Sequence, residues 1–371
     1  MNSPAVAVVE RCRDARAGAE PAPPVISIVI PIRNEAGSIA GCLDAIRAQD
    51  YPADRLEVVV VDGASIDDSA AIVRACAAAD PRIRLLHNAT GLIPVGLNIG
   101  IRAARGDVIA RVDARARLQP DYFATAVRLL RETGADNVGG AVRSVSPGYA
   151  ARVLAAAVAS RFGIGGAAVR YRNAGQRDVD TVYLGVYPRR VLERIGLYDE
   201  EMVRDQDDEL NFRLREQGGR VVLSPRLVST YLNSGSLRRF LRQQFLYGYF
   251  KVRVCQKHPR MMSVRHWVPP AFALGLLAGP PAALVSGTAA HVLGGVLGIY
   301  LLCAVTASAA EARRAGVRCA APLPGVFLLL HATWGLGFLA GLVRFLPRWF
   351  RSETPPPALA PARSPRGASS C

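Results

Sequence analysis

Short apolar runs alternate with amphipathic stretches along the first half of the chain. The runs are VISIVIPI, LEVVVVDG, RIRLLHN and DVIARVD, and their near-continuous Val and Ile residues are typical of strands that are buried on both faces. The stretch after the first run places Ile39, Leu43 and Ile46 on one helical face. This alternation predicts an α/β fold with a mostly parallel sheet that is covered by helices.

Three of these predicted strands are followed within a few residues by a carboxylate: Glu35, Asp62 and Asp113. Ligands of such sheets bind at the carboxyl ends of the strands. No glycine-rich phosphate loop follows the first strand, so a nucleotide would be held by its base, its ribose and a metal-bound diphosphate. Asp62 suits a base or a ribose, and Asp113 suits Mg²⁺ or Mn²⁺. A single such Asp is more often a turn or cap residue, but three in succession favour a site.

The last third of the chain contains two long uncharged runs. No Asp, Glu, Lys or Arg occurs from Trp267 to Ala310, and a second such run extends from Cys319 to Val343. A bilayer crossing needs about 20 apolar residues. The first run therefore has room for two helices, with a break near residues 287–288, and the second for another. We predict a membrane domain of two or three hydrophobic segments over residues 266–348.

Arginines flank the second uncharged run on both sides. They are Arg313, Arg314 and Arg318 before it, and Arg344, Arg348 and Arg351 after it. By the positive-inside rule both flanks favour the cytosol. Three full crossings cannot satisfy both flanks. Either the last run is a re-entrant or tilted segment, or the tail crosses despite its charge.

Positive charge is concentrated in the C-terminal part. The formal net charge is +16, and all of it arises after Glu216, where 18 basic residues face 2 acidic ones. Because this excess lies beside apolar runs, it indicates a membrane and not a nucleic acid. Residues 236–265 combine apolar and basic positions at helical spacing, which predicts an interfacial helix on anionic lipid. The alternative is a surface helix that packs on the preceding domain.

The seven cysteines are scattered and form no C-x-x-C pair, as is typical of a reducing compartment. The N-terminus has charges where a signal peptide would need an apolar core. We therefore expect the first domain, residues 25–235, to stay in the cytosol. Residues 1–24 and 349–371 are expected to be disordered.

Four motifs occur in the order and spacing of the family 2 glycosyltransferases. They are SIVIPIRNEAGSI, LEVVVVDGASIDDS, GLNIGIRAARGDVIARVDARARLQPDYF and VRDQDDELNFRLREQGG. The residues of these motifs resemble those of the bacterial exopolysaccharide enzymes of the succinoglycan glucosyltransferase type. The resemblance implies a GT-A nucleotide-sugar-binding fold over residues 25–235.

The resemblance also assigns roles to single residues. The nucleotide pocket would be lined by residues after the first strand, namely Pro31, Arg33, Asn34 and Glu35. Asp62 would hold uracil or ribose, and Asp113 would bind Mg²⁺ or Mn²⁺ in the D-x-D position. This chain departs there, because the third position is Arg115. An arginine cannot ligate a metal, but it can pair with the diphosphate directly.

The stretch RDQDDELNFR crowds four carboxylates before a predicted helix. The family places its general base in a Glu-Asp pair here, which reads Gln206-Asp207 in this chain and makes Asp207 the candidate base. The alternative is that Asp207 only caps the helix. Asp205 or Asp208 would be the base if the register differed by one or two positions.

These features predict an inverting transferase that moves one hexose from a UDP-sugar, UDP-glucose first, to a polyprenyl-diphosphate-linked saccharide. The family's processive members carry a Q-x-x-R-W motif, and its absence favours addition of a single sugar. The predicted location is the bacterial cytoplasmic membrane, with the catalytic domain facing the cytosol. One alternative is a polyprenyl-phosphate glycosyltransferase, and another is a non-catalytic scaffold that binds nucleotide sugar or glycan.

Overall fold

The computed structural model describes residues 22–145, 148–164, 175–232, 235–350 and 356–359. Most of the predicted lead-in (1–24) and of the predicted tail (349–371) lies outside the described residues. Only 22–24, 349–350 and 356–359 of those two segments belong to the described part.

Within the described residues, a mixed sheet of nine strands forms the centre of the N-terminal domain, in the order β3-β2-β1-β4-β8-β6-β9-β5, with β7 beside β9. The strands β1, β2, β3 and β4 are parallel neighbours, and β8 joins β4 in the antiparallel direction. The nine strands are β1 Ile26–Ile32, β2 Leu56–Asp62, β3 Ile83–His87, β4 Val108–Arg111, β5 Ala116–Leu118, β6 Asn137–Val145, β7 Arg177–Asp178, β8 Val186–Pro188 and β9 Val221–Leu232.

Helices cover both faces of this sheet. The helices of this part of the chain are α1 Ala36–Arg47, α2 Ser69–Ala79, α3 Ile93–Ala103, α4 Tyr122–Thr133, α5 Tyr149–Ala159, α6 Arg161–Ile164, α7 Arg189–Ile195 and α8 Gln206–Glu216. Of these described helices, α5 and α6 pack on later helices of the chain and not on the sheet. Ile28 and Ile30 point to a core that α1, α2 and α4 complete, whereas Val29 points to a core shared with α3, α7 and α8. Because both faces are covered, β1 and β2 need apolar residues at nearly every position, as their sequences provide.

Five further helices follow: α9 Leu237–Lys257, α10 Val268–Val285, α11 Gly287–Ala315, α12 Val317–Ala320 and α13 Leu323–Phe345. The segments that contain α10, α11 and α13 are long and apolar enough to cross a membrane. Ser286 separates α10 from α11, close to the predicted break at residues 287–288.

The two halves of α9 have different surroundings. Arg238 and Arg239 at its start are exposed. Lys251 and Arg253 near its end are only 5% and 1% exposed, because α9 packs there on the N-terminal domain and on α13. The basic residues of the second half therefore face protein carboxylates.

Candidate functional site

The loop after β1 is fastened to the loop after β2. The backbone N–H of Asn34 donates to Ser65 Oγ at 2.9 Å, and the backbone N–H of Ile66 donates to Asn34 Oδ1 at 2.9 Å. One residue further, the Glu35 N–H donates to Ser69 Oγ at 2.7 Å. Asn34 has a φ of 56°, a left-handed conformation that asparagine tolerates better than most residues. The two loops therefore form one wall of the cleft at the carboxyl edge of the sheet.

The other predicted nucleotide-pocket residues lie along this wall. Pro31 is the second-last residue of β1, and Asp62 ends β2 directly opposite Ile32. The Asp62 carboxylate is 7% exposed and accepts a hydrogen bond from the Ser65 N–H at 3.3 Å. Arg33 is exposed and donates to the carbonyl of Gly91 at 3.3 Å.

Asp113 and Asp207 lie on either side of one arginine. Arg111 is the last residue of β4, and its Nη2 donates to Asp113 Oδ1 at 2.9 Å. Its Nη1 contacts Asp207 Oδ2 in the first turn of α8. The arginine side chain is 8% exposed, whereas the two carboxylates are 26% and 23% exposed. Arg111 is thus fixed in the sheet, and both carboxylates that it binds remain accessible from the cleft.

The surroundings of Asp207 act on its proton affinity in both directions. Burial raises its pKa, the Arg111 guanidinium opposes that shift, and the nearby Asp113 charge adds to it. The net result is a pKa above the ordinary value of an aspartate. The Tyr198 hydroxyl lies 3.4 Å from Asp207 Oδ1, within hydrogen-bonding reach. Asp207 is therefore held in place and has a raised affinity for a proton.

Arg115, the residue in the third D-x-D position, is held by Glu35. Its Nε donates to Glu35 Oε2 at 2.8 Å, which joins two of the residues predicted for the nucleotide site. Both side chains are about one-fifth to one-quarter exposed at the cleft. The guanidinium is thus held at the cleft beside Asp113.

The donor set can be compared with the needs of a divalent cation. The described residues contain no group of three or more His, Cys, Asp or Glu side chains that could hold a metal. Mg²⁺ in nucleotide enzymes typically uses one or two carboxylates and takes its other ligands from phosphates and water. Asp113, a single and partly exposed carboxylate, fits a cation that arrives with a diphosphate. It does not fit a cage made by the protein alone.

The other carboxylates of the crowded stretch have different partners. Asp205 and Asp208 both pair with Lys251 of α9, at 3.0 Å and 2.5 Å. Glu209 is buried and accepts two hydrogen bonds from Arg213. The helix begins at Gln206, with Asp205 at the cap position, so Asp207 lies in the first turn and is not the cap residue.

Two residues of this region, Arg111 and Tyr198, were not found by the sequence analysis. A charged residue within the apolar run DVIARVD was a usable signal for Arg111, because a buried arginine is almost always paired. Tyr198 occurs in a stretch that gives no comparable signal. Lys251 was counted among the basic positions of the predicted interfacial helix, and it pairs with Asp205 and Asp208.

Residues 27–195 match the family described as glycosyl transferase family 2. The succinoglycan biosynthesis protein ExoA of Rhizobium meliloti (strain 1021) is 28% identical over 324 residues, which are 86% of this chain and 96% of that protein. A Methanococcus voltae enzyme, dolichyl N-acetyl-alpha-D-glucosaminyl phosphate 3-beta-D-2,3-diacetamido-2,3-dideoxy-beta-D-glucuronosyltransferase, is 26% identical over 62% of this chain and 74% of its own length.

Among solved structures, the mannosyltransferase PcManGT from Pyrobaculum calidifontis, in complex with GDP-Man and Mn²⁺, aligns with a TM-score of 0.54. It is 23% identical, and the alignment covers 91% of this chain and 94% of that one. This likeness confirms the predicted fold class, a GT-A-like mixed sheet between helices, followed here by apolar helices. The family match and the relatives agree that residues 27–195 form a family 2 glycosyltransferase domain and that the chain is a glycosyltransferase.

Proposed function

We propose that this glycosyltransferase inverts the anomeric centre as it moves one hexose from a UDP-sugar to a lipid-linked saccharide. The observation that carries the proposal is the placement of Asp113 and Asp207 around Arg111 at the end of β4. One carboxylate lies beside the diphosphate-binding position that the D-x-D motif implies. The other lies in the first turn of α8, open to the same cleft, where an acceptor hydroxyl would enter.

Asp207 is the proposed general base. The acceptor oxygen forms a bond to the anomeric carbon, the bond from that carbon to the diphosphate oxygen breaks, and the hydroxyl proton passes to the Asp207 carboxylate. A base placed in this way contributes about 10²–10⁴-fold to the rate. Arg111 and Tyr198 fix the orientation of the carboxylate, and its raised pKa improves it as a proton acceptor.

Two residues act on the leaving group in this proposal. Arg115, held by Glu35, places a permanent positive charge where the diphosphate departs. Asp113 would hold a divalent cation, Mg²⁺ or Mn²⁺, which would neutralise charge on the diphosphate when bound. Pro31, Arg33, Asn34 and Asp62 line the wall that would receive the nucleoside.

The donor and acceptor are inferred from the relatives and from the apolar helices. ExoA is named for succinoglycan biosynthesis, and the Methanococcus enzyme is named for a dolichyl-linked acceptor. Three segments apolar enough to cross a membrane suit an acceptor whose lipid stays in the bilayer. We therefore propose UDP-glucose as the first donor to test and a polyprenyl-diphosphate-linked saccharide as the acceptor. The enzyme would lie in the bacterial cytoplasmic membrane with its catalytic domain in the cytosol.

The test uses membranes that contain the full chain, labelled UDP-glucose, Mg²⁺ or Mn²⁺, and an extract of lipid-linked saccharides. We expect label in the lipid fraction, and about 10²–10⁴-fold less of it with Asp207→Asn. Asp44→Asn is the matched control, because Asp44 is a carboxylate on α1 whose side chain is 69% exposed. That control is expected to keep the wild-type rate.

The product separates this proposal from its alternatives. Mild acid releases a saccharide that is longer by one sugar if the acceptor is a lipid-linked saccharide. It releases a single sugar if the acceptor is polyprenyl phosphate, which would contradict the proposed acceptor. Binding of nucleotide without transfer from any UDP-hexose would contradict the transferase proposal and support the scaffold alternative.

A further inference from the structure

The last apolar helix, α13, is covered by the rest of the protein far more than α10 and α11 are. Of the most apolar 18-residue stretch in its segment, 33% is buried inside the protein, compared with 11% for each of the segments that contain α10 and α11. Its main partner is α9, and the two backbones approach closely. A Cβ added to Gly337 would lie 2.0 Å from the Phe245 carbonyl oxygen, and one added to Gly341 would lie 2.5 Å from the Tyr249 carbonyl oxygen. The contact thus depends on small residues along α13.

The C-terminal end of α13 is attached to the catalytic domain. The Gln256 side chain donates to the Phe345 carbonyl at 3.0 Å. Just after α13, Arg348 pairs with Glu201, in the segment that leads into α8. This end therefore lies at the level of the catalytic domain.

The N-terminal end of α13 packs on α5 and α6, and the chain connects these helices closely to β6 of that domain. Leu323 and Phe327 pack with Val153 and Ala157 of α5. Just before α13, the Arg318 carbonyl accepts a hydrogen bond from the Tyr149 hydroxyl at 2.7 Å. Since Tyr149 follows the end of β6 by only four residues, chain length keeps it within about 14 Å of the sheet.

These two attachments conflict with a membrane crossing by α13. A helix of 23 residues is about 34 Å long, close to the roughly 30 Å of the hydrocarbon core, so a crossing would place its ends on opposite sides. One catalytic domain cannot hold both ends across that distance. We infer that α13 does not cross the membrane, but lies in the membrane plane beneath the catalytic domain and inserts one face among the lipid acyl chains.

The uncovered face of α13 has the chemistry that this position needs. Leu329, Leu336 and Val343 are exposed and recur every seven residues, so they form one apolar stripe along the helix. Arg318 precedes the helix and Arg344 lies in its last turn, both at the depth of lipid headgroups in this arrangement. An isolated interfacial helix has a polar face opposite its apolar stripe. The corresponding face of α13 is not polar, because α9 covers it.

A consequence concerns the C-terminus. The Leu197 N–H donates to the Pro357 carbonyl at 2.8 Å, and Leu359 is buried in the core that contains Ile195. Residues 356–359 therefore lie on the catalytic domain, on the same side of the membrane. The number of crossings is then even, with α10 and α11 as a hairpin. Both arginine-rich flanks of α13 also share one side, as the positive-inside rule requires. This inference does not depend on the proposed donor or acceptor.

The first test locates the C-terminus relative to the catalytic domain. A full chain that keeps Cys371 as its sole cysteine is treated with a membrane-impermeant maleimide, in sealed vesicles of each orientation. The matched control places the sole cysteine at Asp44→Cys, on the catalytic domain. We expect both chains to react in the same vesicles. Reaction of Cys371 only in the opposite vesicles would show three crossings and overturn the inference.

The second test measures depth along α13 and stands on its own. Nitroxide labels are placed singly at Leu329, Leu336 and Val343, in otherwise cysteine-free chains in vesicles. Collision rates with oxygen and with a water-soluble nickel chelate then give the depth of each label. An in-plane helix gives three similar depths. A crossing helix spreads them over about 21 Å, which would overturn the inference. The thermal midpoint of each labelled chain, compared with that of the unlabelled chain, confirms its fold.

Discussion

Twice in this protein one cation lies between two carboxylates. The two clusters differ in how exposed their carboxylates are and in which part of the chain supplies the cation. In the cleft cluster, Arg111 from the sheet joins Asp113 and Asp207, whose side chains remain about one-quarter exposed. In the anchor cluster, Lys251 from α9 joins Asp205 and Asp208. Asp205 and Lys251 are 8% and 7% exposed there, and Asp208 is 25% exposed. Asp207 lies between Asp205 and Asp208 in sequence, yet belongs to the other cluster.

The difference lies in which part of the chain supplies the cation. The cleft cluster is complete within the catalytic domain and open on one side, as the proposed substrate site requires. The anchor cluster is completed by the helix that leads to the membrane, and its Asp205 and Lys251 are buried. In the first turn of α8, Asp207 therefore faces the cleft, while its sequence neighbours Asp205 and Asp208 bind Lys251 of α9. Four predictions test this division, from the largest effect to the smallest.

Lys251→Met leaves the buried Asp205 and the partly exposed Asp208 without their cation. We expect the free energy of unfolding to fall by about 3–5 kcal/mol, as for other buried pairs that lose one partner. Urea unfolding of the detergent-solubilised chain measures it. Adding Asp205→Asn and Asp208→Asn should recover much of the loss, because no buried charge then remains. Arg239→Met, at an exposed position of the same helix, is the matched control. No recovery in the triple variant would contradict the proposed electrostatic origin.

Arg111→Lys keeps the charge of the cleft cluster but removes the fork that holds two carboxylates at once. We expect kcat to fall by about 10²-fold, as for small displacements of a catalytic group, with little change in KM for the UDP-sugar. Steady-state transfer assays separate the two constants. A change confined to KM would instead indicate that Arg111 serves donor binding.

Gly337→Ala tests the attachment of α13 to α9, the helix that supplies Lys251 to the anchor cluster. Because its Cβ would overlap the Phe245 carbonyl oxygen, we expect a loss of about 1–3 kcal/mol in the free energy of unfolding. Gly294→Ala in α11 is the control, since a Cβ there has no neighbour within 4 Å. Equal free energies of unfolding for the two variants would show that the contact between α9 and α13 tolerates the added methyl group.

Asp205 gives the anchor cluster a pH dependence. Burial raises the pKa of Asp205 to about 6, although Lys251 opposes the shift. The folded state therefore binds this proton at a higher pH than the unfolded state, and stability rises as the pH falls from 7 to 5. The gain is limited to about 1 kcal/mol per pH unit. Thermal midpoints of the wild type and of Asp205→Asn should converge over this range. A constant difference would contradict the shift.

The sequence predicted the part of the fold that local pattern determines. Continuous Val and Ile marked β1 and β2, and helical spacing marked α1, because these elements are fixed by burial on the sheet. The short strands β7 and β8 were not predicted. They have two and three residues and exist only through pairing with distant strands.

The candidate site was proposed from the sequence residue by residue, and these roles stay predictions, but the sequence did not show how the residues are connected. Asp113 and Asp207 were named from motifs. Arg111, which lies between them, is 96 positions from Asp207 in sequence, and no local pattern indicates that these two residues are in contact. The basic face of α9 was assigned to lipid, and its second half instead contacts carboxylates such as Glu201. Charge spacing along a helix indicates that a face is polar, but not which partner it meets.

Lys251 also limits how this enzyme can be taken apart or recombined. A chain that ends after β9 would lack the residue that neutralises Asp205 and Asp208, and it would uncover Met202 and Phe212, which pack with Val254. The catalytic fold is therefore not a free-standing module, although it has its own sheet. Exchange of membrane anchors between related enzymes would have to carry α9 together with the catalytic part. The functional boundary of the domain thus lies beyond Lys257 and not at the last strand.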